Sequence, residues 1–175
     1  MIEKKILNTL RDVPDFPKPG IMFKDITPIF HSAELSNEIV DYLYHYYKDK
    51  NIDVVVGIES RGFFFGFPLA MKLGIPFVPI RKKGKLPYET ISYRYDLEYG
   101  SAEMEMHVDA IAPNQRVLIH DDLLATGGTA IAASKLVEMC DAQVAGFSFI
   151  IDLAFLKGRD KINTYSEEIS VLAEV

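Results

Sequence analysis

Val117-Leu-Ile-His-Asp-Asp-Leu-Leu-Ala-Thr-Gly-Gly-Thr129 is the stretch of this 175-residue chain that says most about its fold. The apolar run over 116–120 predicts a strand buried on both faces. The strand ends in two adjacent acids, Asp121 and Asp122, and a turn of small residues then opens a helix predicted over 128–139. Strand, turn and helix in this order are the repeating unit of a parallel sheet covered by helices.

The rest of the chain repeats this alternation. Apolar residues at helical spacing or in runs of helical length predict helices over 2–11, 34–49 and 62–73. Apolar runs predict further strands over 53–58, 77–80 and 144–151, with an edge strand over 169–172. We therefore predict an α/β fold with a mainly parallel central sheet flanked by helices, in one domain that spans residues 1–175.

Two segments depart from this scheme. Residues 14–28 are rich in proline and are predicted to form an extended loop. Residues 91–99 and 104–108 alternate apolar and polar side chains, which predicts two half-exposed antiparallel strands joined near Gly100. By the same alternation we expect Glu103 and Glu105 to be solvated.

Composition excludes several classes of protein. The 25 acidic residues outnumber the 19 lysines and arginines, so bulk charge does not favour a nucleic-acid partner. The lone cysteine, Cys140, allows no disulfide within the chain and fits a reducing, cytoplasmic compartment. No apolar run approaches the roughly 18 residues of a membrane span, and the first residues lack the apolar block of a secretory signal.

The turn over 125–129 has the chemistry of a phosphate site. Glycines let the backbone N–H groups approach an anion, the helix N-terminus adds positive potential, and threonine hydroxyls add donors. The turn lacks the lysine ending of a Walker loop and the spacing of the dinucleotide fingerprint. Because carboxylates accept from ribose hydroxyls, Asp121 and Asp122 beside this turn indicate a sugar phosphate.

The stretch closely resembles the signature of the type I phosphoribosyltransferases, in the form seen in their adenine-specific members. Further matches follow in order and at compatible spacing over 16–28, 57–63, 81–87, 97–100 and 156–159. The resemblance implies a purine-salvage enzyme that transfers phosphoribose from phosphoribosyl diphosphate (PRPP) to N9 of adenine, giving AMP and pyrophosphate. It implies Mg²⁺ carried mainly by PRPP and pyrophosphate rather than by direct protein ligands, and a homodimer. The apolar run over 62–67 suits a dimer interface, although a buried core helix is equally consistent.

The resemblance also implies roles for individual residues. Asp121 and Asp122 would bind the ribose hydroxyls, and the 5′-phosphate would lie on Ala125, Thr126, Gly127, Gly128 and Thr129. Pyrophosphate would be bound by Glu59, Ser60, Arg61, Lys82, Lys85 and Tyr99, with Arg81 less favoured among the basic residues. Glu59–Ser60 lies in the segment that often contains a cis peptide bond in this family.

A loop over about 83–106 would close over the substrates, because an oxocarbenium-like transition state must be shielded from water. Within this loop, Glu98 would exchange a proton with the purine. Arg61, which lies outside the loop, is the second catalytic candidate. A hood over 1–33 would bind the base. There the backbone of Met22 and Lys24 would read the adenine edge, with Phe23 and Leu153 on the two ring faces.

Two departures from the family pattern stand out. His120 occupies a position that is usually aliphatic, where a satisfied core histidine is expected and a contact near the ribose stays open. Asp152 replaces a common glutamate near the base pocket.

Two other functions remain as alternatives. A phosphoribosyltransferase for 6-oxopurines (hypoxanthine/guanine or xanthine) is disfavoured by the 123–129 signature and the Phe23 segment. A regulator that binds PRPP or a nucleotide without catalysis is disfavoured by the retained Glu98.

Overall fold

The computed structural model describes residues 1–96 and 101–175. Its helices are α1 (Ile2–Thr9), α2 (Thr27–Phe30), α3 (Ala33–Tyr47), α4 (Gly62–Leu73), α5 (Gly128–Glu138) and α6 (Gly158–Ile162). Its strands are β1 (Arg11–Pro14), β2 (Met22–Asp25), β3 (Val54–Ile58), β4 (Phe77–Lys82), β5 (Thr90–Asp96), β6 (Ser101–His107), β7 (Arg116–Leu124), β8 (Gln143–Asp152) and β9 (Ile169–Glu174). A short 3-10 turn covers Ala154–Leu156.

Within the described residues, seven strands form one sheet in the order β5-β6-β4-β3-β7-β8-β9. Neighbouring strands from β4 to β9 in this order are parallel, whereas β6 pairs antiparallel with both β4 and β5. The predicted α/β sheet, its antiparallel pair and the edge strand β9 are therefore confirmed. The carboxyl ends of β3, β4, β7 and β8 lie at one edge of the sheet, where ligands bind in such folds.

Two apolar cores cover the two faces of the sheet. One is built on α5 and the alternate residues of β3 and β7 that include Val56 and Ile119. The other contains Val55 and Leu118, and α3 buries its stripe of Leu35, Ile39, Leu43 and Tyr47 there. Helix α3 begins where the Ser32 hydroxyl accepts from the Leu35 N–H at 3.2 Å, which satisfies a free donor of the first turn. Both faces of β3 and β7 are thus buried, as their apolar runs predict.

Residues 14–28 are not the extended loop that their prolines predict. β1 and β2 form an antiparallel hairpin with Phe23 opposite Val13, and α2 follows at once. The prolines lie at the end of β1, in the connection and at the start of α2, where a missing N–H breaks little of the ladder or helix. Prolines therefore delimit short elements here.

Among residues 1–96 and 101–175, every helix is too short or too polar to cross a lipid bilayer.

Candidate active site

The turn between β7 and α5 is held in shape by glycines. Gly127 has φ of +83°, a left-handed conformation that favours glycine, and α5 begins at the next residue. Gly158, in the 156–159 motif, packs against this turn. A Cβ at residue 158 would stand 2.3 Å from the Ala125 carbonyl oxygen, and one at residue 127 would stand 3.1 Å from the Gly158 carbonyl. The distant motif therefore supports the backbone of the phosphate turn.

Asp121 and Asp122 lie within β7 and not at its end, because the strand continues to Leu124. Their residues are only 8% and 4% exposed. The Asp122 carboxylate accepts from Arg61 Nε at 2.6 Å, and the Asp121 carboxylate accepts from the Asp122 backbone N–H at 2.8 Å. Burial and the charge of Asp122 raise the pKa of Asp121 well above its ordinary value, and Arg61 offsets this only in part. The pair is thus a strained acceptor site that suits neutral hydroxyl donors.

A cavity of about 260 Å³ opens between these acids and the phosphate turn. Of the predicted site residues, Glu59, Arg61, Asp121, Asp122, Ala125, Thr126, Gly127, Gly128 and Thr129 line it. The carboxyl ends of β3 and β7 and the start of α5 thus bring together residues that are far apart in sequence.

Tyr95 also lines this cavity, and the sequence analysis does not single it out. Its ring lies over the start of α5, since a Cβ at Gly128 would be 3.6 Å from Tyr95 Cε2. Burial and the charge of Asp121 raise the pKa of the Tyr95 hydroxyl. The alternation Ile91, Tyr93, Tyr95 contained the signal, because it places Tyr95 on the face that packs against the core.

The other predicted pyrophosphate residues lie beside the cavity. The peptide bond between Glu59 and Ser60 is cis, as the resemblance implies. Glu59 accepts from the Lys82 backbone N–H at 2.8 Å and from Lys85 Nζ. Burial raises the pKa of Glu59, but these hydrogen bonds and nearby Arg81 more than offset it, so the pKa is lowered. Ser60, Lys82 and Lys85 are exposed and do not line the cavity.

Of the predicted base-binding residues, Phe23 lies next to Arg61. Its guanidinium carbon is 5.7 Å from the centre of the Phe23 ring, which links β2 to the acid pair. Lys24 Nζ donates to Asp12 at 2.6 Å, and Met22 is largely exposed. The Leu153 backbone N–H donates to the Leu124 carbonyl at 2.9 Å, just after β8. These four residues do not line the cavity, and Glu98 and Tyr99 lie outside the described residues.

His120 is a core residue, as expected from its position. It is fully buried, and its Nδ1 lies 3.0 Å from Ser148 Oγ, whereas its Nε2 has no partner within the described residues. Burial lowers its pKa to about 3, so the ring is neutral.

Glu105 is buried, although the alternation of apolar and polar residues predicts that it is solvated. It is 3% exposed and accepts several hydrogen bonds from the segment before β5. The alternation correctly predicts which face of β6 carries Glu105. The turn of residues 83–86 folds over this face, however, and covers the carboxylate. Glu103, two residues earlier, stays partly accessible beside Lys83.

No group of three or more His, Cys, Asp or Glu side chains that could hold a metal ion occurs in the described part of the chain. The carboxylates at the cavity are those of Glu59, Asp121 and Asp122, and each of them accepts a hydrogen bond from a protein donor.

Comparison with known proteins agrees with this geometry. Residues 25–171 match the model of the phosphoribosyl transferase domain. The chain is 50% identical to the adenine phosphoribosyltransferase of Cytophaga hutchinsonii over 172 residues, which cover 98% of this chain and 95% of the relative. It therefore belongs to the phosphoribosyltransferase family, and within it to the adenine phosphoribosyltransferases.

Solved structures give the same result. The adenine phosphoribosyltransferase of Thermoanaerobacter pseudethanolicus superposes with a TM-score of 0.95 at 46% identity, covering 100% of both chains. The enzyme of Saccharomyces cerevisiae, solved with adenine and an imino-altritol bisphosphate, has a TM-score of 0.90 at 41% identity, with 98% of both chains covered. The fold predicted from the sequence is confirmed by these matches.

Proposed function

We propose that this chain transfers 5-phosphoribose from PRPP to N9 of adenine and releases AMP and pyrophosphate. The bond from the anomeric carbon to pyrophosphate breaks, the bond to N9 forms, and the N9 proton leaves. The observation that carries the proposal is the juxtaposition of the buried acid pair with the glycine-rich start of α5 in one cavity. A ribose 5-phosphate needs hydroxyl acceptors and phosphate donors side by side, and this cavity offers both.

The ribose phosphate is held by groups that are already in place. The backbone N–H groups over 125–129 face the 5′-phosphate at the N-terminus of α5, where the helix dipole favours an anion. Asp121 and Asp122 accept from the two ribose hydroxyls. Because Arg61 Nε donates to Asp122, a ribose hydroxyl that bonds to Asp122 frees this guanidinium for the pyrophosphate. Substrate binding thus converts an internal ion pair into two contacts with PRPP.

Pyrophosphate leaves with several negative charges, which cations must stabilise as they develop. Arg61, Lys82 and Lys85 supply this charge, with Glu59 and Ser60 shaping the segment and Tyr99 adding a donor. Mg²⁺ is a hard cation that prefers oxygen ligands and keeps several waters. A bound Mg²⁺ would neutralise charge on PRPP and pyrophosphate, and Asp121 and Asp122 are the carboxylates that would be available to it.

Residues over about 83–106 close over the substrates and exclude water from the oxocarbenium-like transition state. Glu98 accepts the N9 proton as the purine attacks. Support for this placement comes from the β5–β6 pair, which brings Tyr95 to the cavity wall one residue before the strand ends. A hood over 1–33 completes the single domain.

Adenine is read by backbone groups of Met22 and Lys24, with Phe23 and Leu153 on its two faces. A 6-oxopurine would place a carbonyl where the 6-amino donor is expected. An unpaired buried acceptor costs about 1–3 kcal/mol, which is enough for selection. Support comes from Phe23, whose ring faces the guanidinium of Arg61 and hence the reacting centre.

We further propose a homodimer in a reducing cytoplasm. Phe64, Phe67 and Met71 project from α4 with half or more of their surface exposed, at spacings of three and four residues. Such an apolar stripe is typical of an interface. The lone Cys140 is half-buried and is compatible with a reducing compartment.

An assay of pyrophosphate release tests the function. Purified protein with PRPP and Mg²⁺ is offered adenine, hypoxanthine, guanine or xanthine separately, and we expect turnover with adenine alone. Turnover of a 6-oxopurine instead would overturn the assignment of residues 20–25. Measurable PRPP binding without turnover of any base would favour the regulator.

A further inference from the structure

Glu105 is a buried carboxylate to which no role has been assigned above. It lies in β6, is 3% exposed, and faces the lysine turn, which we define as residues 82–86. Its Oε1 accepts from the backbone N–H groups of Lys85 and Leu86, each at 2.9 Å, and its Oε2 accepts from the Thr90 hydroxyl at 3.3 Å. These bonds reach across the antiparallel pair and fix where the turn lies on β6.

The Lys85 side chain points to the edge of the sheet at which the strands β3 and β4 end. Lys85 Nζ donates to Glu59, and the Lys82 backbone N–H donates to the same carboxylate at 2.8 Å. The Lys85 carbonyl accepts from Arg81 at 3.3 Å. Glu59 and Glu105 therefore hold the lysine turn from two sides, one through the Lys85 side chain and one through its backbone.

The two carboxylates differ in what substrate can do to them. Pyrophosphate competes with Glu59 for the Lys85 ammonium, so that contact is exchanged on binding. Glu105 is 3% exposed and bonds to backbone N–H groups of the turn itself, not to a side chain that pyrophosphate would bind. Burial raises the pKa of Glu105, but the N–H groups of Leu86, Gly84 and Lys85 and the Thr90 hydroxyl more than offset it. The carboxylate is therefore charged at neutral pH, and its charge-assisted bonds are the stronger kind.

We propose that Glu105 is a positioning residue for pyrophosphate: it anchors the lysine turn so that Lys85 reaches the leaving group when it releases Glu59. The inference rests on the pyrophosphate role proposed above for Lys85. It assigns Glu105 no contact with substrate.

The test compares Glu105→Gln with Glu103→Gln. Both changes remove one carboxylate charge from the same strand, but Glu103 pairs with Lys83 and Ser92 and not with Lys85. For Glu105→Gln we expect the KM for PRPP and the calorimetric Kd of pyrophosphate to rise about tenfold, as expected when hydrogen bonds to a charged group weaken. The KM for adenine changes less than about twofold, since the base site is not involved. Glu103→Gln leaves all three close to wild type.

A double-mutant cycle with Lys85→Met separates positioning from general stability. If Glu105 acts through Lys85, then Glu105→Gln adds little to the loss of pyrophosphate affinity caused by Lys85→Met. The inference is overturned if the two losses add fully, if pyrophosphate affinity is unchanged, or if the KM values for PRPP and adenine rise together.

Thermal unfolding verifies that each variant folds. Should Glu105→Gln fail to fold, Glu105→Asp takes its place, because it keeps the charge but withdraws the carboxylate from the turn by one methylene. The same selective loss is expected, and its absence contradicts the proposal. Calorimetry with pyrophosphate needs no turnover, so a wild type that binds it but does not use adenine refutes the proposed function without touching this inference.

Discussion

At the residue scale, Asp121 illustrates a conflict between stability and function. Its carboxylate is buried beside a second acid, and Arg61 is the guanidinium that compensates the pair within the described residues. Its raised pKa means that the charged form is disfavoured in the folded protein, so stability is lost as pH rises through that pKa. Such a group persists where it binds something, and the proposed function makes the ribose hydroxyls its ligands.

We predict that Asp121→Asn raises the melting temperature and lowers kcat/KM for PRPP. Removing the charge relieves repulsion from Asp122, and a gain of about 1 kcal/mol corresponds to about 2–4 °C in a chain of this size. Calorimetric melting at pH 7.5 and steady-state kinetics measure the two effects. A destabilised variant with unchanged kinetics would contradict the assignment.

The burial of His120 should make the folded protein less stable in acid. Its pKa of about 3 in the folded protein lies below the ordinary value of 6.5, so only the unfolded chain binds its proton between these limits. The contribution of His120 to the free energy of unfolding is therefore fully present above pH 6.5. It decreases as the pH falls toward 3, by up to about 1.4 kcal/mol per pH unit. Urea unfolding of wild type and His120→Leu at pH 7 and pH 5 isolates the contribution of His120 to the pH dependence of the free energy of unfolding. The wild type should lose more free energy of unfolding than the variant, and equal losses would refute the prediction.

At the element scale, the phosphate turn depends on a strand, two helices and the motif at 156–159. The sequence identifies the turn because its residue types are dictated locally, by positive φ at Gly127 and by the N-terminus of α5. The sequence alone does not explain why residue 158 is a glycine. The reason is the close approach of the Ala125 carbonyl, more than thirty residues away. Close backbone contact between distant segments leaves no periodic signal.

Gly158→Ala should damage phosphate binding more than stability. A Cβ at 2.3 Å from the Ala125 carbonyl forces the turn or α6 to move. We expect kcat/KM for PRPP to fall by about tenfold or more, because misplaced donors lose charge-assisted bonds worth about 1.5–3 kcal/mol each. Asp160→Ala, on the exposed side of the same helix, serves as the control. Equal kinetics in both variants would show that the contact is dispensable.

At the scale of the whole molecule, periodicity predicted the sheet well. Runs buried on both faces gave β3, β7 and β8 within a few residues, and period-two alternation gave β5 and β6. The two failures have different physical causes, one local and one tertiary. The hairpin β1–β2 is hidden by its prolines, and Glu105 alternates as a surface residue but is covered by the lysine turn. Three of the residues proposed to bind the base, Met22, Phe23 and Lys24, lie on that hairpin, so their placement depends on the part of the fold that local patterns describe least.

The exposed apolar stripe of α4 predicts that two copies of the chain form a dimer. Met71 is 67% exposed and projects beside Phe64 and Phe67. We expect sedimentation velocity to show a dimer for the wild type and dissociation for Met71→Glu, because an interface core excludes an unpaired charge. Met139→Glu, at an exposed methionine after α5, should remain dimeric. A monomeric wild type at micromolar concentration would refute the interface.

We propose above that one cavity holds the ribose and its 5′-phosphate and that the base lies beside this cavity, between Phe23 and Leu153. A crystal structure with AMP tests it most directly. We predict the 5′-phosphate on the N–H groups over 125–129, the ribose hydroxyls on Asp121 and Asp122 with Arg61 released, and the adenine between Phe23 and Leu153. AMP bound elsewhere, or bound with its phosphate away from the start of α5, would contradict the account.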